Sequence, residues 1–529
     1  MPTLRLLSLS LLLLLGGVAT ATPVALPDSI DYDQIESPSY SAHVQPLLAV
    51  RDAFGFGSAD AYAWDALFAS EAGATIVPFD AEGSFAVRFV EDLADTTPIP
   101  YPNLRNLEPD ELRFLKRWIE AGAPNDAGAV PYADAEHVLF VAEQGQNSVA
   151  LVDAARRRVI RRVRFDELGL ESAPYGPHHM VFADDESAWY ASLISAGAVA
   201  KLSMDLGLDP SDPAYLLGHS EPGGFTTPGM MALDDERGRL YVGRSTLSSS
   251  GTYGLGAFDT DAMTLTEEIP LPSFDVPHAF ALTSDGRFLL TAPLSGREAL
   301  VVDTETQDLV SRTPLGDQNR ELVHFSLLPD SLSRSSGSTT ATLTSNSGGQ
   351  SEVLFFQLAD DGTLTPTGTA PTGARAWHGH LDSDGRSLLV PNRADHSVTV
   401  IDVPSKTIRL TAANATPDGP IAMPHSPAPT YDGAFFVTSS NLQGAWQPPF
   451  NFLGAPDANG VRSPLPNEAF GNLTVLNAET GAVEAVIPLG AYPSGVEHPM
   501  GAHGHHDMGG MDHERPDGEH EMEHDGGHH

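Results

Sequence analysis

A short β-rich unit that recurs along the chain limits its fold more than any other feature. The clearest copy runs from Ala374 to Leu410. A His-bearing strand (Trp377 to Leu381) enters an Asp384-Gly385 turn, and a second apolar strand (Ser387 to Val390) follows. Ser397-Val398-Thr399-Val400-Ile401-Asp402 then alternates with period two, and Thr407 to Leu410 closes the unit. Short β-rich runs divided by Asp-Gly and Asn/Asp turns are the pattern of antiparallel strands joined by hairpins. Segments aligning with Ser397 to Asp402 are Ser148 to Asp153, Ala198 to Ser203, Leu255 to Asp259, Ala299 to Asp303, Val353 to Leu358 and Asn472 to Asn477, seven copies in all. Their spacing, mostly near ~45 residues, is that of propeller blades. One four-stranded blade cannot cover both its faces, so blades stack around an axis. The first copy lacks an inner strand before His137 to Val141, and Tyr492 to His498 reads as that strand. The prediction is an all-β seven-bladed propeller over 132–500, closed by its C-terminal strand.

The repeat resembles the secreted YVTN-type propeller family. Val138 to Asp153, with Val141-Ala142-Glu143-Gln144-Gly145-Gln146-Asn147-Ser148-Val149, is the nearest copy, and the resemblance covers most of Glu136 to Met500. It implies a fold and not an activity, because propellers host many unrelated functions.

The chain ahead of the repeat has a different texture. Arg5, the apolar run Leu6 to Leu15 and Ala19-Thr20-Ala21 form a secretory signal over 1–21, with an apolar run too short to span a bilayer comfortably. A Pro-containing linker over 22–36 follows. Over 37–128, four stretches predict a small all-α domain: Tyr40 to Phe54, Asp60 to Ala69, Ser84 to Leu93 and Pro109 to Ala121. In the last, Asn106 reads as the N-cap, Gly122 as the stop, and Leu112, Leu115, Trp118 and Ile119 share a face.

Val44 to Leu48, Ile76 to Asp80 with Ser84, Leu107 to Leu115 and Trp118 to Ala123 resemble, in that order, the cytochrome c-like domains fused to bacterial propellers. The family's haem-attachment motif should lie near Arg51 to Phe56, where the chain reads Arg-Asp-Ala-Phe-Gly-Phe. Its axial Met corresponds to about Ile99-Pro100 or Tyr101-Pro102. The resemblance therefore implies a haem-less relic, and haem is not expected.

Composition narrows the partners. With 29 Lys and Arg against 70 Asp and Glu, the net charge is -41, which argues against nucleic acid and anionic membranes. Zero Cys excludes disulfides, thiolate metal sites and covalent haem. No other run is apolar enough for a transmembrane anchor, so a periplasmic or secreted protein is expected.

The histidines carry the chemistry. His178 and His179, His278, His324, His378 and His425 each precede the first Asp turn of a blade by six or seven residues, and His498 lies in the closing strand. His380 stands two residues beyond His378, so both can face one side. The blade without His offers Met230. These positions open the innermost strand of each blade, so residues far apart in sequence converge on one channel mouth. Neutral imidazoles on a rigid scaffold suit copper or zinc. The same rings could instead plug the channel, or hold a polar ligand or anion. The arrangement resembles the propeller of nitrous oxide reductase, whose copper centre is held by histidines that include an adjacent pair. Here His178-His179 would be that pair, with His278, His324, His378, His425 and His498 completing the set. The reductase's cupredoxin domain and its Cys have no counterpart in this chain.

The tail over 501–529 is a separate module, expected to be disordered. His503, His505, His506, Met508, Met511, His513, His520, Met522 and His524 alternate with Asp, Glu and Gly. His-rich tracts bind metals, and mixed imidazole and thioether donors suit both copper oxidation states. The leading expectation is an exported metal-binding protein rather than an enzyme. An interaction scaffold docking another exported protein, and a redox protein, are the alternatives.

Overall fold

The computed structural model describes residues 30–91, 101–170, 174–245, 253–271, 276–328, 338–382, 384–414, 419–431, 433–440 and 470–499. The expected signal segment and the His/Met tail lie outside them. Seven four-stranded antiparallel sheets form the blades of a propeller. Six are built from four strands in chain order. Blade one takes Val138–Glu143, Ser148–Asp153 and Arg158–Arg164, and its innermost strand is Pro493–Glu497 from the far end of the chain. Phe140 pairs with Glu497 and Val141 with Val496, so the predicted closure holds. The repeat copies Ser148–Asp153, Ala198–Ser203 and Ser397–Asp402 are strands with those bounds.

Each blade buries both faces because its neighbours cover it. Seven apolar clusters result, such as Leu139, Val141, Phe436 and Leu473 between blades seven and one. Trp189 and Phe140 meet between blades one and two, in a cluster continuous with the core of the helical unit around Leu47, Phe114 and Trp118.

The helical unit holds α-helices Gln45–Arg51, Trp64–Ala69, Phe85–Glu91 and Pro109–Glu120. The last starts at Pro109, as the sequence suggests, and ends one residue early at Glu120. Its cap is Glu108, in a reciprocal box with Glu111, and not Asn106. Two side-chain carboxylates there satisfy end N–H groups that an Asn further upstream cannot reach. The first expected helix is split, with a π turn over Tyr40–Val44 ahead of the α-helix. The segment expected as a linker is already packed from Ile30. Tyr32 is buried 5.0 Å from Phe114, and Asp33 meets Arg113 at 2.6 Å. At the attachment-motif position, Asp52 is left-handed (φ 45°) and accepts from Gly57 N–H and from the Tyr62 hydroxyl, both at 2.9 Å. Phe54, Phe56, Tyr62 and Tyr101 pack together beside it, with centroids 4.8 to 6.3 Å apart.

The unit seats on the outer strand of blade one through buried arginines. Arg162 and Arg164 both bond Asp80, at 2.9 and 2.8 Å. Arg158 reaches the Phe68 and Ser70 carbonyls, and Arg161 those of Pro131 and Leu206. Among the described residues no helix is long and apolar enough to cross a membrane.

Candidate metal centre

The innermost strands of blades two, three, four and seven begin at Pro177, Pro228, Pro277 and Pro424. In each, the pairing register slips just after the proline. Proline has no N–H for the ladder, and the extra residue of a bulge re-aims the side chains beside it. His178, His278 and His425 directly follow the proline. In blade six, counting from the Ala376↔Asn392 bridge, Trp377 takes that place. In blade one it is Ser494. One position further stand His179, Met230, His324 and His378. Two further again stand His380 and Glu497.

The structure gathers seven imidazoles about the axis. Ring centroids lie 6.4 Å apart for His178–His278 and 5.5 Å for His278–His378. They lie 5.2 Å apart for His324–His378, 4.4 Å for His324–His380 and 4.9 Å for His378–His425. His378 is the hub. It is 3% exposed, and neither of its ring nitrogens has a hydrogen-bond partner. His179 joins through Glu497, Nε2 to Oε1 at 3.6 Å.

The chemistry of each partner fixes the tautomer, and the tautomers divide the set. A carbonyl can only accept, so His278 donates Nδ1–H to Val323 O at 2.8 Å, and His324 donates Nδ1–H to Gly379 O at 2.8 Å. His178 Nδ1 faces the Gln144 Oε1 oxygen at 3.5 Å. These three present Nε2 lone pairs, the usual preparation of a metal-binding histidine by an outer oxygen. His179 differs, because its Nδ1 accepts from Met231 N–H at 3.3 Å and its Nε2 therefore carries the proton. His425 Nε2 accepts the indole N–H of Trp377 at 3.0 Å. Neither His179 nor His425 has a free lone pair in this arrangement. His380 Nε2 lies 3.4 Å from the Ser426 hydroxyl, which can donate or accept.

Burial keeps the cluster neutral. It pushes His178 down to about 4 and His380 to about 3, with His278 and His179 respectively adding to the effect. His179, His324, His378 and His425 fall well below 6.5 for the same reason, helped by neighbouring imidazoles and, at His425, first by Arg393. His278 is lowered by burial, against its bond to Val323. Burial lifts Glu497 to about 8, so at neutral pH it is a neutral acid beside neutral His179.

Two expected ligands lie elsewhere. Met230 occupies the blade-three position, but its side chain packs with Tyr241, Leu255 and Phe280 in the apolar core. The closing strand ends at Glu497, and His498 beyond it is lowered by burial and then by His137, not by the axial rings. Trp377 and Glu497 are the residues that sequence reasoning missed. Adjacency to His378 was the only signal for the first, and for the second only its place in the closing strand.

The donor set suits copper or zinc: nitrogen ligands, neutral, three of them with their tautomer already set. The positions do not yet close on one point. Among the described residues no three His, Asp or Glu side chains gather their donor atoms as one metal site. Holding an ion requires the rings around His378 to turn.

No family model matches the chain, and no characterised protein matches it in sequence. Among solved structures it is similar to dihydro-haem d1 dehydrogenase NirN, at 13% identity over 82% of this chain and 98% of that one, with a TM-score of 0.45. It is also similar to the Pseudomonas aeruginosa periplasmic gluconolactonase, at 16% identity over 68% and 98%, with a TM-score of 0.48. Kuenenia stuttgartiensis hydrazine synthase gives 13% identity over 66% and 92%, with a TM-score of 0.42. The propeller rests on this chain's own strand order.

Proposed function

We propose that this protein is an exported metal carrier that holds copper, or zinc, in the axial channel of its propeller. His178, His278, His324 and His378 are the ligands, with His380 at their edge. The observation that carries the reading is His378. Leaving buried polar atoms unpaired costs about 1–3 kcal/mol each, so a deeply buried imidazole with two such nitrogens needs something to bond. A metal ion satisfies one nitrogen, and two rings beside it, His278 and His324, already offer lone pairs.

The helical unit is then a haem-less cytochrome c-like relic. Aromatic rings pack beside the place where an attachment motif would stand, which supports this. The His/Met tail gathers ions for the channel.

The test is elemental analysis by mass spectrometry on protein truncated after Met500, exported, loaded with metal and purified without a tag. Stoichiometric copper or zinc that disappears in His178→Ala, His278→Ala and His378→Ala supports the reading. Absence of bound metal removes it. The chain would then be an interaction scaffold whose channel is packed with rings.

A further inference from the structure

A second site lies beside the histidines, at the mouth between blades six, seven and one. Four buried polar atoms there have no partner: Arg393 Nε, His425 Nδ1, Ser439 Oγ and Ser494 Oγ. Arg393 is 6% exposed, and its guanidinium lies 4.6 Å from the centroid of the Trp377 ring. In a chain with 70 Asp and Glu, it meets no carboxylate among the described residues. A cation taken out of water without a counter-charge is costly.

The other three atoms belong to residues around the Trp377–His425 contact. Trp377 donates to His425 Nε2, which leaves the proton of the neutral ring on Nδ1. Ser439 stands opposite Pro424, next to His425 in the ladder. Ser494 is the blade-one equivalent of His425, and Thr438 bonds its carbonyl at 3.4 Å. The lone atoms are therefore a guanidinium N–H, an imidazole N–H and two hydroxyls free to turn. All can donate.

We propose that Arg393, His425, Ser439 and Ser494 bind a small planar oxyanion, a carboxylate or nitrate, against the face of Trp377. A guanidinium fork matches two coplanar oxygens, and the remaining donors supply the charge-assisted bonds that such an ion takes. His425 then serves the anion and not the metal. The site does not depend on the metal reading, because every donor is in place without an ion in the channel.

The experiment is calorimetric titration of the full-length, chelator-treated protein with sodium acetate, sodium nitrate and, as an ionic-strength control, sodium chloride. Trp fluorescence is recorded in parallel. Saturable binding of acetate or nitrate is expected, weakened about tenfold or more by Arg393→Gln and severalfold by Ser494→Ala, since each removes a bond to a charged group. Acetate alone would identify the carboxylate of an organic acid, and nitrate alone an inorganic ion. Ser494→Ala is the small change that answers the question if Arg393→Gln fails to fold. No saturable binding of either anion overturns the proposal. So does unchanged binding in both variants, or binding that appears only after copper is restored, which would put the anion on the metal.

Discussion

Arg162 places Nη1 2.9 Å from Asp80 Oδ2, and that contact joins the helical unit to the propeller. The same guanidinium donates Nε–H to Glu143 Oε2 at 2.8 Å, and Glu143 Oε1 accepts Gly490 N–H at 2.7 Å. One buried relay thus runs from the helices through blade one to the approach of the closing strand. Burial acts to raise the Asp80 carboxyl, but Arg164 and Arg162 hold it well below the usual carboxylate range.

Asp80→Ala leaves Arg164 buried without its close carboxylate and Arg162 with Glu143 alone, and should cost roughly 3–5 kcal/mol. Urea denaturation measures it, and limited proteolysis should then release the helical unit. Asp33→Ala, which breaks the exposed pair with Arg113, should leave the urea midpoint unmoved. Equal effects from the two would show that the Asp80 network does not hold the units together.

Acid should weaken the metal-free propeller early. The axial imidazoles are neutral in the folded chain down to about 4 at His178 and about 3 at His380, whereas unfolded histidines charge near 6.5. A depressed pKa means that the unfolded state takes up protons first. Stability is therefore full above pH 6.5 and falls as pH drops towards 4, by about 1.4 kcal/mol per pH unit for each proton of difference. Urea midpoints measured from pH 7.5 to 4.5 test this, with His378→Phe flattening the slope. A pH-independent midpoint would contradict the neutral, buried assignment.

Among the axial histidines the losses should be unequal. His378→Ala should lower metal retention tenfold or more, in the range seen when metal-site groups are removed. His425→Ala and His498→Ala should leave it within about twofold, because one ring is committed to Trp377 and the other lies off the cluster. Metal-to-protein ratios after dialysis give the answer, and equal losses at His378 and His425 would refute the tautomer division.

Much of the architecture was legible because it is local. Period-two alternation and Asp-Gly turns mark strands within a few residues, so Ser397–Asp402 and its copies could be read directly. The histidines were legible as positions, since each opens an inner strand. Their chemistry was not. His278 takes its partner from Val323 and His324 from Gly379, one blade away, and no spacing within a blade shows this. Met230 failed because a thioether at the same register is apolar enough to join the core. Docking of the helical unit did leave a trace in the crowded arginines of Arg158–Arg164, a strand whose charge conflicts with burial unless something acidic covers it.

Glu143→Gln should loosen closure of the ring. Its carboxylate joins Arg162, Ser148 and Gly490. Amide exchange in Pro493–Glu497 should rise while the outer strands of blades three and four stay unchanged. A uniform rise would point to global unfolding instead.

Glu143 and Gly490 bond across 347 positions of chain. Until the last residues arrive, Val138–Glu143 is an unpaired edge with an apolar sequence, and it must wait for almost the whole propeller to be made. Such an edge invites strand addition from another molecule. A nascent or truncated copy that lacks Pro493–Glu497 presents the acceptor, and a second copy carries the donor strand. The contact that makes this ring complete is thus also the one through which two chains can exchange ends and become trapped as a swapped dimer.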